Sequence, residues 1–141
     1  MRLRSTILVF AGLVLGQSAA AVDLLATDKA IVESGRALYR QHCADCHGQD
    51  ATGGSVTRLG TTAEVPSLTG LAKKHGGTFP FWELYEMVSG AELMPAHRGR
   101  VMPIWSDELA KTPKVGKADA KAIVRGRITA ILAYLSSVQE K

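Results

Sequence analysis

At 141 residues the chain has room for one domain, and its 17 Lys and Arg against 13 Asp and Glu give a formal charge of +4. No basic patch is interleaved with aromatics, so nothing points to a nucleic-acid partner. The two cysteines present are tightly spaced, and that spacing needs a chemical reason.

The chain opens MRLRSTILVFAGLVLGQSAAAVD. Arg2 and Arg4 make a positive start, Ile7 to Leu15 a short apolar run, and Ser18 to Ala21 a small-residue region. This is the layout of a secretory signal peptide, cut after Ala21. An uncleaved anchor is the alternative. The apolar run falls short of the roughly 20 residues that span a bilayer, and Gln17 and Ser18 interrupt it. No second run of spanning length follows, so no membrane span is expected after cleavage. The chain divides into a signal peptide, 1–21, and one domain, 22–141. Cleavage leaves 120 of the 141 residues and lowers Lys and Arg from 17 to 15 against 13 acids, so the mature charge is +2. A domain of this size buries only about two thirds of its unfolded surface, so a large apolar cofactor would add much to its core. Export implies a periplasmic location and an oxidising setting for the thiols.

Thr27 to Cys43 reads as an amphipathic helix capped by Asp28 or Thr27. Ile31, Gly35, Leu38 and His42 share one stripe, with Tyr39 beside it. Gly35 weakens helix propensity and suits a close approach by another helix. Residues 48–66 carry four glycines and end at Pro66, which predicts a loop. A short helix is expected from Ser67. Another is expected over FPFWELYEMVSG, with Pro80 at its first position and Gly90 at its stop. Residues 91–105 hold two Met-Pro steps without a period and predict an irregular loop. Ser106, Asp107 and Glu108 then suit the start of a short helix. Ala118 to Gln139 is the strongest helical segment. Val124, Ile128, Ile131, Leu135 and Val138 mark its apolar stripe, and Asp119 favours its first turn. No internal repeat and no strand-period segment stands out. The domain reads as all-α, with helices at its ends and loops between.

The chemistry lies in Cys43-Ala44-Asp45-Cys46-His47. Thiols at i and i+3 project from one face of a helical turn. That arrangement matches two vinyl groups on one side of a porphyrin, with the next histidine reaching the iron. The C-x-x-C-H spacing is that of c-type haem attachment. A redox dithiol would sit in a βαβ context, which the sequence lacks. Zinc could use Cys43, Cys46 and His47 with His42, His75 or His97 as a fourth ligand. Zinc does not explain a histidine abutting the second cysteine.

These residues resemble the monohaem class I cytochrome c family over nearly the whole mature chain. The matching pieces are a first helix running into CADCHG, VPSLTGLA after the loop, a late Met-Pro loop and a last helix with AILAYL. The resemblance implies a small all-α, cytochrome c-like domain wrapped around one covalently attached haem c. It implies thioethers at Cys43 and Cys46 and His47 as proximal iron ligand. It also implies a crossing of the first and last helices, where Gly35 meets Tyr134. The family's sixth ligand is a methionine. Met94 and Met102 both precede proline, which biases them away from helix, and RVMPIW resembles the family's M-P-x-W stretch. Met102 is therefore favoured, Met94 is the runner-up, and His97 or an open position remains. Met87 reads as core. Pro66 matches the proline whose carbonyl accepts the proximal histidine's ring N–H. Trp105, or Trp82, matches the indole that bonds a haem propionate.

With both axial positions filled by protein, the implied function is a periplasmic one-electron carrier rather than an enzyme. Its partners would be redox proteins docked weakly and transiently. Arg98, Arg100, Lys73 and Lys74 could steer an acidic partner, or be ordinary surface charge. One alternative is a haem subunit of a dedicated oxidoreductase. Another is a haem enzyme or sensor with an open sixth position.

Overall fold

The structure is a computed structural model, and it describes residues 28–58, 61–90, 105, 110 and 116–140. The expected signal peptide, Thr27, the helix start expected at Ser106–Glu108 and, apart from Trp105, the Met-Pro loop expected over residues 91–105 lie outside the described residues.

Helix α1 spans Lys29–His42. Asp28 caps it, its Oδ1 accepting from the Ala30 and Ile31 amides at 3.0 and 3.2 Å, which satisfies two donors that a helix start leaves open. A one-turn helix, α2 (Ala44–His47), follows with Cys43 as the hinge between them. Helix α3 is Leu71–Lys74, α4 is Phe81–Ser89 and α5 is Lys117–Ser137. The 21 residues of α5 make it about 31 Å long.

The fold is set by α1 crossing α5. Gly35 is buried at the crossing. A Cβ placed there would run into the Ala130 carbonyl and lie 3.1 Å from Tyr134 Cβ. The absence of a side chain is what lets the two backbones meet. The Tyr39 and Tyr134 rings pack beside the crossing, centroids 5.2 Å apart and tilted by 51°. On α5, Val124, Ile128, Ile131 and Leu135 are buried as expected, with Val138 partly buried and packed on the core. The second half of α5 buries more than a stripe: every residue from Ala130 to Leu135 is inside, because α4 packs on α5 as well as α1. Met87 packs partly buried against this core, as expected.

The middle of the chain departs from the all-α reading. The segment expected to be a loop contains an antiparallel hairpin, β1 (Gly54–Arg58) and β2 (Thr61–Val65), with Gly54 opposite Val65 and Arg58 opposite Thr61. Glycines masked a short β-branched pattern: Val56 and Thr57 on one strand, Thr61, Thr62 and Val65 on the other. The Thr57 and Thr62 hydroxyls bond across the strands at 2.8 Å. The described residues are nonetheless mostly helical.

The other boundaries shift for local reasons. The expected helix from Ser67 begins only at Leu71, because the Ser67 hydroxyl accepts the Thr69 amide in a side-chain turn at 3.2 Å. Pro80 caps α4 instead of opening it, and Gly90 ends it with a left-handed φ of 82°. Helix α5 stops two residues before Gln139, whose side chain serves another purpose. Its Oε1 accepts the Ala72 amide and its Nε2 donates to the Leu68 carbonyl, each at 2.8 Å. Glu140 adds a bond from the Thr69 hydroxyl to its Oε1 at 2.7 Å, and its amide donates to the Thr69 carbonyl at 2.9 Å. The end of α5 thus holds the segment that follows Pro66.

Candidate haem-attachment site

Cys43 ends α1 and starts α2. Its carbonyl accepts from the amides of Cys46 and His47 at 3.1 and 2.9 Å, and the Gly48 amide bonds back to Ala44 at 2.9 Å. The five motif residues therefore form one continuous turn, which places the i and i+3 thiols on a common side. Gly48 then reverses the chain with φ 79°. That left-handed value favours glycine, and it lets the backbone leave directly after His47.

The cysteines are half-buried and neither is in a disulfide. Cys43 packs against the core. Burial, and secondarily the nearby Cys46, pushes its thiol up to about 12. Such a thiol is uncharged at neutral pH, unlike the lowered-pKa thiol of a redox dithiol. His47 is partly buried, with Nδ1 inside.

The turn is joined to its surroundings through glycines and one phenol. The Gly53 amide donates to the His47 carbonyl at 2.9 Å. A Cβ on Gly53 would come 2.7 Å from the Pro66 carbonyl carbon, so Pro66 backs onto the peptide that bonds His47. The Tyr39 hydroxyl donates to the Gly48 carbonyl at 2.7 Å. Trp105 packs its ring edge-on against His42, centroids 5.4 Å apart. Its Nε1 is buried with no hydrogen-bond partner among the described residues. A buried indole N–H ordinarily has an acceptor, and a carboxylate beside His42 would supply one.

These observations sort the residues expected from sequence. Cys43, Cys46 and His47 share the turn, Trp105 adjoins its His42 side, and Pro66 adjoins its Gly53 side. Trp82 stands apart on α4, 66 % exposed, flanked by Phe81 and Tyr85. Its indole is open to water and needs no buried acceptor. His75 is engaged elsewhere. Its Nδ1 lies 2.8 Å from the Leu71 carbonyl and its Nε2 3.4 Å from Glu83. Lys73 and Lys74 are exposed on α3. Among the described residues no group of three or more His, Cys, Asp and Glu is placed to hold a metal. Met94, Met102, His97, Arg98 and Arg100 lie outside the described residues. Sequence reasoning missed the hydroxyl of Tyr39 as a tie to the motif. The available signal was a tyrosine, not a phenylalanine, at a position facing the core.

A mainly helical domain whose end helices cross at a glycine, with its sole cysteines on a C-x-x-C-H turn, is a c-type cytochrome in outline. The family described as cytochrome C oxidase, cbb3-type, subunit III matches residues 30–135, well over half of the chain. The chain belongs to that family of c-type cytochromes, which carries covalently bound haem c and transfers electrons. Neither a curated protein nor a solved structure gave a significant match. No helix among the described residues is long and apolar enough to cross a membrane.

Proposed function

We propose that this chain is an exported one-electron carrier whose haem c is held by the Cys43–His47 turn. Cys43 and Cys46 supply the thioether sulfurs and His47 the proximal nitrogen. Pro66 holds the His47 ring through its carbonyl, and Trp105 donates its buried N–H to a propionate. Met102 closes the distal side, with Met94 as the competing ligand. When bound, the group supplies one-electron exchange between Fe(III) and Fe(II), at a potential that thioether ligation raises. The protein's part is to hold the ligands still and exclude water. Its crossing helices and the ties on the motif turn suit that task. The observation that carries the reading is the C-x-x-C-H turn, at the end of α1, within the family match.

The family description favours a second reading for the setting: a haem subunit of a terminal oxidase, passing electrons to one fixed partner. Co-purification from membranes separates it from a free periplasmic shuttle, and mass spectrometry of the mature N-terminus tests cleavage after Ala21. The site itself is tested by expression with haem-maturation machinery. A covalent haem with a sharp reduced α-band and the weak methionine-to-iron charge-transfer band supports it. Loss of that weak band in Met102→Ala assigns Met102. Persistence there and loss in Met94→Ala assigns Met94. A wild-type protein lacking the band sinks both methionines.

A further inference from the structure

We infer that Tyr39 is a positioning residue for the haem site: its hydroxyl fixes the peptide that leaves His47. The inference rests on the reading of His47 as an iron ligand. Tyr39 is wholly buried, at 0 % exposure, and its ring packs on Tyr134 at the helix crossing. A phenylalanine would meet that packing. The hydroxyl does something further. It donates at 2.7 Å to the carbonyl of Gly48, nine residues along and directly after His47.

Most of the bonds that shape this turn are local. Cys46 and His47 bond back to Cys43, Gly48 to Ala44, and the Ala51 amide reaches the Gly48 carbonyl at 3.2 Å. Local bonds fix the shape of a turn without fixing where it sits on the domain. The Tyr39 bond comes from α1 itself, one turn beyond the position where Gly35 locks that helix onto α5. It therefore refers the ligand-bearing turn to the helix crossing that sets the fold. The geometry matters most at Gly48, whose positive φ leaves its peptide free of Cβ restraint. Without the hydroxyl, the Gly48 carbonyl is left to its longer, local bond from the Ala51 amide, and the peptide can tilt. Groups that orient a ligand tune the metal it holds, so the tilt is expected at the iron as a changed potential.

The test compares holoprotein Tyr39→Phe with Ile128→Val. Ile128 is also wholly buried, lies on α5 in the same core cluster, has no hydrogen-bonding side chain, and serves as a core-packing control. Three quantities are read: urea stability, hydrogen exchange at the Ala51 and Gly53 amides, and the oxidised-to-reduced ratio at fixed ambient potential. In Tyr39→Phe both amides should exchange several-fold faster than global unfolding accounts for. The redox ratio should change by about threefold or more, where tenfold corresponds to about 59 mV for one electron. Ile128→Val should lose stability and change neither. If Tyr39→Phe matches Ile128→Val in exchange and potential, the inference is overturned. Should Tyr39→Phe fail to accumulate, 4-fluorophenylalanine at position 39 fills the space of the hydroxyl and deletes the donor. Unchanged exchange and potential in that protein overturn the inference equally. The two readings fail differently. A wild-type spectrum that survives His47→Ala removes the ligand, and the positioning role with it. A spectrum that needs His47, beside a silent Tyr39→Phe, overturns the positioning role alone.

Discussion

Gly35→Ala is the sharpest test of how the domain is held together. A methyl group at position 35 would occupy the space of the Ala130 backbone carbonyl and press within 3.1 Å of Tyr134 Cβ. A side chain in that position could rotate away, but a carbonyl inside a helix cannot, so α1 and α5 must separate. Overpacking of this kind costs about 1–3 kcal/mol. Opening the crossing by even 0.5–1 Å adds a loss of roughly a quarter to a half of the dispersion energy of each contact along it. Against this, alanine gains up to about 1 kcal/mol over glycine in helix propensity. The net expectation is a loss of about 2 kcal/mol, which for a urea slope near 2 kcal/mol/M lowers the unfolding midpoint by ~1 M. Gly126→Ala on α5 is the matched control. A Cβ there meets nothing within 4 Å, so only the propensity gain remains and the midpoint should hold or rise. If Gly35→Ala were as stable as Gly126→Ala, the close approach of the two backbones would be disproved.

Three further outcomes follow from single side chains. Burial raises the Tyr39 phenol above its ordinary value, so its contribution is complete below about pH 10 and is lost as pH climbs further. The alkaline fall in urea midpoint should be shallower in Tyr39→Phe than in wild type. Gln139→Ala removes acceptors and donors for Ala72, Leu68 and Leu135 at once. It should cost about 1–3 kcal/mol and speed exchange of the Ala72 amide. Trp105→Phe keeps a ring against His42 but deletes the buried N–H. It should shift the reduction potential while changing the unfolding midpoint little, and an unchanged potential would count against a propionate bond.

The sequence was most readable where one residue answers to one local rule. Asp28 before an apolar period marks a helix start, Gly90 marks a stop, and C-x-x-C-H names its chemistry by spacing. The crossing was legible too, since a glycine in mid-helix has few reasons to be there. What escaped was non-local. The hairpin depends on register between two five-residue strands, each too short to show a period. The early stop of α5 depends on what Gln139 and Glu140 bond to, far back along the chain at Leu68, Thr69 and Ala72. No window around those residues contains Leu68 or Thr69. The tie from Tyr39 to Gly48 lay closer at hand, but a hydroxyl on a core-facing ring has no periodic signature.

Those non-local contacts share one feature that bears on electron transfer. The motif turn is referred to α5 through Tyr39, which packs on Tyr134. The segment after Pro66 is referred to α5 through Gln139 and Glu140. Gly53 then joins the two, its amide bonding to His47 and its α-carbon abutting Pro66. The proximal side of the proposed site is therefore a closed frame anchored twice on one helix. A carrier benefits from such a frame because ligand geometry that does not relax between Fe(II) and Fe(III) keeps the barrier to exchange low. The frame also predicts where it fails first. Deleting Gln139–Lys141 removes one anchor without touching the motif. It should loosen the Pro66 segment, raising exchange of the Ala72 amide that Gln139 holds, while the Ala51 and Gly53 amides stay protected by the Tyr39 anchor. Equal loss of protection at all three amides would show that the two anchors do not act separately.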